Sequence, residues 1–200
     1  MRYKMFVLLM LFGITATANA AGDAKAGATK AAACAACHKN DGNSDNPIWP
    51  KTAGQHSGYL MKQLRDFQSG ARKEPTMTAM AAPLSAQDIE DLAAHFSAQN
   101  PSPGKKGDAK KTAAGEQLFF SGNIQKGIPA CVGCHGSEAQ GNPAGDFPSL
   151  RSQHSAYLVK TLKDFRSGAR MNDPALMMHD ILIKLSDQDI EAVAEYLSSL

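Results

Sequence analysis

Every cysteine of this 200-residue chain lies in one of two pentapeptides, Cys34-Ala35-Ala36-Cys37-His38 and Cys131-Val132-Gly133-Cys134-His135. Two thiols about one helical turn apart can add to the two vinyl groups of a single porphyrin, while the next residue swings its imidazole beneath the iron. The C-x-x-C-H spacing therefore predicts covalent c-type haem, one group per motif and two in all. A redox disulfide or half of a zinc site would need only C-x-x-C, with no histidine directly after the second cysteine. Haem attachment consumes Cys34, Cys37, Cys131 and Cys134 as thioethers, which leaves no structural disulfide and no free thiol.

His38 and His135 can each fill one axial position of an iron, and the opposite face sets the redox behaviour. A methionine thioether favours ferrous iron and a high potential, a second histidine lowers it, and an open face permits ligand chemistry. An internal repeat chooses among the methionines at 61, 77, 80, 171, 177 and 178. Counting back seven residues from Leu84-Ser85 and from Leu185-Ser186 lands on Met77 and Met178, the only methionines that share a register. Met80 aligns with Ile181, Met177 with Thr76, and Met61 with Val159. Met77 and Met178 are thus the predicted distal ligands, each expected in a loop before the last helix of its half; the Met177-Met178 pair makes the second sulfur the more ambiguous. His56 and His154 also match between the halves, so bis-histidine ligation stands as an alternative to a capping or packing role. His95 and His179 read as ordinary histidines.

The repeat extends to the elements that must hold these ligands. The segment from Gln55 to Arg72 recurs from Gln153 to Arg170 with most positions identical, and Leu84-Ser85-Ala86-Gln87-Asp88-Ile89-Glu90 recurs as Leu185-Ser186-Asp187-Gln188-Asp189-Ile190-Glu191. Leu60, Leu64 and Phe67 fall at helical spacing over 57–69, with Gly70 as C-cap. Ser85 and Ser186 are N-caps, with Asp88 and Asp189 in capping-box positions, for helices carrying Ile89, Leu92 and Phe96 and then Ile190, Val193 and Leu197. Further helices are expected over 25–34 and 114–120, and no segment alternates as a strand. Pro50 and Pro148, twelve and thirteen residues after the haem histidines, offer carbonyls to the other imidazole nitrogen. Arg72 and Arg170 either pair with haem propionates or face solvent.

The first residues join a basic start at Arg2 and Lys4 to an apolar run, 5–14, and a small-x-small end at Ala18-Asn19-Ala20. These are the parts of a cleavable signal peptide over 1–20; the run is short for a membrane span, and an uncleaved anchor is the alternative. With Arg2 and Lys4 in that leader, the remainder carries 19 basic and 19 acidic side chains, a balance that gives no sign of nucleic-acid binding. The Pro-, Gly- and Lys-rich stretch from Asn100 to Asp108 marks a boundary. The expected organisation is an N-terminal domain at 21–100, a linker at 101–112 and a C-terminal domain at 113–200. Halves of this size have a marginal apolar core, so a buried haem should complete each one.

Two C-x-x-C-H domains, the repeated YLxxxLxDFxSGAR-type helix, a methionine-bearing segment and the closing LSxQDIE helix together resemble the cytochrome c4 family of bacterial periplasmic dihaem cytochromes. The resemblance covers essentially all of the chain after the leader. It implies an all-α protein of two tandem class I cytochrome c domains related by a pseudo-twofold axis, each wrapped around a covalent haem, with the propionate edges facing each other. It also implies His38/Met77 and His135/Met178 ligation and a monomeric periplasmic electron carrier rather than an enzyme. Its expected partners are a bc-type complex or other cytochrome as donor and a terminal haem-copper oxidase as acceptor, with peripheral membrane association allowed. The rival readings are a dihaem peroxidase, which needs a displaceable axial ligand and distal acid–base residues, and a haem-based sensor, which would need an open face.

Overall fold

A computed structural model describes residues 22–200; the signal peptide expected at 1–20 lies outside them. Among the described residues no helix is long and apolar enough to cross a membrane. The described structure is all helix and loop, with two isolated β-bridges, Asn123 to Ile128 and Asn142 to Phe147.

In the first half, α1 (Ala24–Lys30) runs through a 3-10 turn (Ala31–Ala33) into the short haem-motif helix α2 (Ala35–His38), followed by α3 (Ser57–Ser69), α4 (Pro75–Ala81) and α5 (Ala86–Ser97). The second half repeats the order with α6 (Ala109–Ser121), α7 (Val132–His135), α8 (Ser155–Ser167), α9 (Met177–Leu182) and α10 (Asp187–Ser199). The first helix of each half packs on the last, α1 on α5 and α6 on α10, and the middle helix packs beside them. The close approach of each first and last pair depends on a glycine. A Cβ on Gly27 would lie 2.0 Å from the Asp91 carbonyl oxygen, and one on Gly115 would lie 2.0 Å from that of Ala192, the residue in the same register.

Local signals place the middle and last helices where the sequence predicts them. Gly70 and Gly168, each at φ 77°, end α3 and α8, as the left-handed C-cap requires. Ser85 with Asp88 and Ser186 with Asp189 both form complete capping boxes. The first helices differ from expectation. In the first half the α-helix stops at Lys30 and the chain tightens into a 3-10 turn before Cys34. In the second, α6 begins five residues earlier than expected, because the Asp108 carboxylate accepts from the Lys110 and Lys111 amides and starts a helix that includes both lysines. Lys111 then pairs with Glu191 at 2.8 Å.

The methionines also sit differently, on short helices rather than in open loops. Pro75 at the first position and Glu74 as N-cap start α4, while α9 starts at Met177.

The two cores are unequal. The first half has a buried cluster of Ala31, Leu92 and Phe96, whereas the second gathers Leu118, Phe119, Leu158, Ile190, Tyr196 and other residues around one centre. Tyr196 stands in the register of His95, and its ring packs on Phe119 and Phe120. A second tie strengthens the first half. The Asp91 carboxylate, 3% exposed, accepts from Lys30 at 2.5 Å and from the Asp23 amide at 2.8 Å, binding α1 to α5.

Candidate haem sites

Each C-x-x-C-H forms one helical turn that carries its histidine inward. His38 is 8% exposed and His135 6%. His38 Nδ1 lies 2.9 Å from the Pro50 carbonyl and His135 Nδ1 lies 3.0 Å from that of Pro148, the two acceptors predicted from sequence. A carbonyl only accepts, so Nδ1 carries the proton and Nε2 keeps its lone pair for a metal. Burial pushes both imidazoles below their usual range, which favours the neutral form that can ligate; the carbonyl bonds oppose it only in part.

The cysteines are free and half-buried. Burial pushes the Cys131 thiol up to about 11. Among the described residues no group of three or more His, Cys, Asp or Glu is arranged to hold a metal ion. A zinc site would need more ligands than either C-x-x-C-H brings together.

The surroundings fit a porphyrin. Cys34, Leu60, Leu64 and Leu84 pack against the buried cluster of the first half and yet are themselves only half-buried. Cys131, Leu150, Val159, Leu162 and Met178 form the matching layer in the second half. An apolar layer backed by core on one side suits a broad flat apolar group on the other.

Met178 packs against the same buried cluster as Cys131, while its neighbour Met177 is 39% exposed, as is Met80. Met77 is half-buried on α4, which packs against α3. The two segments hold their methionines by the same device despite different lengths. The Glu74 carboxylate accepts the Met77 amide at 2.7 Å, and the Asp173 carboxylate accepts the Met178 amide at 2.6 Å. Three extra residues in the second half are absorbed by a turn at Pro174–Leu176, where Ala175 and Leu176 take left-handed backbone.

The other histidines, His56 excepted, have partners elsewhere. His154 Nε2 lies 2.8 Å from the Ser44 carbonyl of the other half, His95 Nε2 lies 2.8 Å from the Asn40 carbonyl, and His179 Nδ1 lies 2.8 Å from that of Phe165. His56 Nε2 is buried with no partner among the described residues. His56 and His154 occupy the N-cap positions of α3 and α8, but neither side chain caps.

The chain matches the cytochrome c family over residues 24–98 and again over 112–200, once per half. Cytochrome c4 of Stutzerimonas stutzeri is 47% identical over 203 residues, covering 96% of this chain and 96% of that protein. This chain belongs to the cytochrome c4 family. A crystal structure of reduced recombinant cytochrome c4 from Pseudomonas stutzeri superposes with a TM-score of 0.87 at 47% identity, over 90% of this chain and all of that one. A protein named thiosulfate dehydrogenase electron acceptor, from Thiomonas intermedia, is 39% identical over 174 residues, covering 85% of this chain and 79% of its own. The two halves are therefore tandem class I cytochrome c domains, each carrying one covalently bound haem c, and the protein is a dihaem c-type electron carrier.

The domains meet in a polar, reciprocal interface that sequence reading underestimated. Arg72 and Arg170 do not face solvent. Arg72 Nη2 donates to Tyr157 Oη and Arg170 Nη2 to Tyr59 Oη, each at 3.0 Å and each across the domain boundary. Both arginines also donate to the Gln63 side-chain oxygen, and each guanidinium lies over a phenylalanine of the helix that precedes it, Phe67 or Phe165. The exchange of partners is what a pseudo-twofold axis produces. The repeated tyrosines, Tyr59 and Tyr157, carried part of this signal in the sequence, whereas Gln63, which meets both arginines, stands opposite Thr161 in the repeat.

Proposed function

We propose that this cytochrome is a periplasmic carrier of respiratory electrons with two six-coordinate haems, ligated by His38 with Met77 and by His135 with Met178. The observation that carries the reading is the pair of methionines in one register, Met77 and Met178, each held at its backbone amide by a nearby carboxylate although the second segment is three residues longer.

Bound haem supplies an iron that exchanges one electron reversibly. The chain does the rest by holding still. The Pro50 and Pro148 carbonyls fix the planes of the proximal imidazoles, and the clasps at Glu74 and Asp173 fix the backbone from which each thioether reaches. The half-buried leucines would cover a bound haem and exclude water from it. With His38 and Met77, and His135 and Met178, each holding one iron, no place would remain for a substrate, which favours a carrier over a dihaem peroxidase.

The domain division belongs to the same reading: a leader at 1–20 removed on export, domains at 21–100 and 113–200, and the linker 101–112, with the family matches at 24–98 and 112–200 in its support. Electrons would come from a bc-type complex or another donor and leave for a terminal haem-copper oxidase. The relative named as a thiosulfate dehydrogenase electron acceptor supports an oxidising dehydrogenase among those donors.

Met77→Ala tests the ligand set. One of the two haems should become high-spin, bind carbon monoxide when reduced and fall in potential, with the other unchanged. Retention of two low-spin haems at their original potentials would assign the distal role to Met80 or a histidine, and rapid peroxide turnover by the unaltered protein would restore the enzyme reading.

A further inference from the structure

The paired Gln-His dipeptides, Gln55-His56 and Gln153-His154, open both repeats, and neither glutamine has a part in its own domain's haem site. Both are buried, at 8% exposure. Each side-chain amide reaches across the interface to a backbone segment of the other domain. Gln153 Oε1 accepts the Lys51 amide at 2.9 Å, and its Nε2 donates to the Lys51 carbonyl at 2.9 Å. Gln55 does the same to Ser149, accepting its amide and donating to its carbonyl, both at 2.9 Å. A second bond holds each glutamine, because its Oε1 also accepts the following histidine's amide at 3.0 Å.

The identity of the clasped residues matters. The Lys51 N–H belongs to the same peptide unit as the Pro50 carbonyl, and the Ser149 N–H to the same unit as the Pro148 carbonyl. Those carbonyls receive the Nδ1 protons of His38 and His135. Each proximal imidazole is therefore joined to the opposite domain through one amide, from His38 Nδ1–H to Pro50 C=O and from Lys51 N–H to Gln153 Oε1. The second path runs from His135 through Pro148 and Ser149 to Gln55.

Hydrogen bonds in series through one peptide polarise each other. Giving up the N–H to a glutamine oxygen shifts electron density onto the carbonyl of that peptide and makes it a better acceptor. It then draws the Nδ1 proton more strongly and makes the imidazole a stronger donor at Nε2. A stronger donor favours ferric iron and a lower potential.

We infer that Gln153 and Gln55 are positioning residues acting in trans, each tuning the proximal histidine, and so the haem potential, of the other domain. The inference rests on the proposed ligand role of His38 and His135. It assigns to the interface a control over the two haems that domain packing alone would not provide.

The test uses the reduced holoprotein labelled with 15N-histidine, together with potentiometric titration. In Gln153→Met, which keeps the side-chain length and removes both bonds, the His38 Nδ1–H resonance should move upfield. One midpoint potential should rise, with His135 and the other potential unmoved. Gln55→Met should reverse the pattern, moving His135 and the other potential. Gln153→Glu keeps an acceptor and strengthens it, so His38 Nδ1–H should move downfield; that variant decides the matter if the methionine variant does not fold. A shift at the histidine of the same domain, at both, or at neither would overturn the inference. The ring protons report the ligand reading separately. If the His38 ring C–H signals lack the large upfield shift of a haem ligand, the ligand reading fails; if they show it while Nδ1–H ignores Gln153, only the trans coupling fails.

Discussion

Replacing Gly115 with alanine puts a methyl group where α6 crosses α10 and should destabilise the C-terminal domain severely. The new Cβ would lie 2.0 Å from the Ala192 carbonyl oxygen, 2.5 Å from its carbon and 2.9 Å from Tyr196 Cβ. Ordinary contact begins near 3.4 Å, so the helices must part by more than about 1 Å, and the obstacle is backbone that cannot rotate away. A gap of that size forfeits about a quarter to a half of the dispersion energy of every atom pair along the crossing, which here includes Leu118, Phe119 and Ile190. Overpacking of this kind costs about 1–3 kcal/mol, and the backbone obstacle puts Gly115→Ala at the upper end. For a domain of this size about 3 kcal/mol lowers Tm by roughly 12–24 °C. Thermal unfolding of the holoprotein, followed by circular dichroism and haem absorbance, should show the C-terminal domain melting first by that margin. Gly133→Ala is the control, since its Cβ would meet nothing within 4 Å and the first repeat has Ala36 in that place. Equal Tm values for the two variants would refute the claim that a glycine is required at the crossing.

Gly27→Ala should act alike on the N-terminal domain, where the Asp91 carbonyl and His95 Cβ stand in the way at 2.0 and 2.8 Å, and differential scanning calorimetry should show the other transition moving. Removing the thioethers should unfold the halves unequally. Cys34→Ala with Cys37→Ala should cost more helical ellipticity than Cys131→Ala with Cys134→Ala, because the N-terminal domain has the smaller protein core. Acid should act through Asp91, whose carboxyl is held down to about 2, below its ordinary 3.8, first by Lys30 and then by the Asp23 amide. A carboxyl with a lowered folded value stabilises above pH 3.8, and that contribution drains away as pH falls from 3.8 towards 2. Acid titration of Asp91→Asn should lack this component of the unfolding curve. Tyr157→Phe leaves a half-buried Arg72 donor without this partner, so a loss of about 1–3 kcal/mol is expected in denaturant melts.

Much of this architecture was legible because the chain states it twice. The C-caps at Gly70 and Gly168, the capping boxes at Ser85 and Ser186, and the proline acceptors of His38 and His135 all follow from local chemistry, and the structure places them as predicted. Duplication singled out Met77 and Met178 by register, a choice that single-domain reasoning among six methionines could not make. Other features depended on distance in space. The start of α6 turned on Asp108 as a cap, which a Lys-rich linker composition concealed. The inward turn of Arg72 and Arg170 depends on tyrosines about a hundred residues away. The glutamine clasps were present as a repeated Gln-His, but a side-chain amide carries no signature of the backbone it will meet.

The ligand assignment is tested most directly by NMR of the reduced protein labelled with 13C at its methionine methyls. A porphyrin ring current drives the methyl of an axial methionine far upfield, clear of all others. Two such methyls are predicted, and the variants Met77→Leu and Met178→Leu should each delete one of them. An upfield methyl that disappears instead with Met80 or Met177, or fewer than two such signals, would contradict the account.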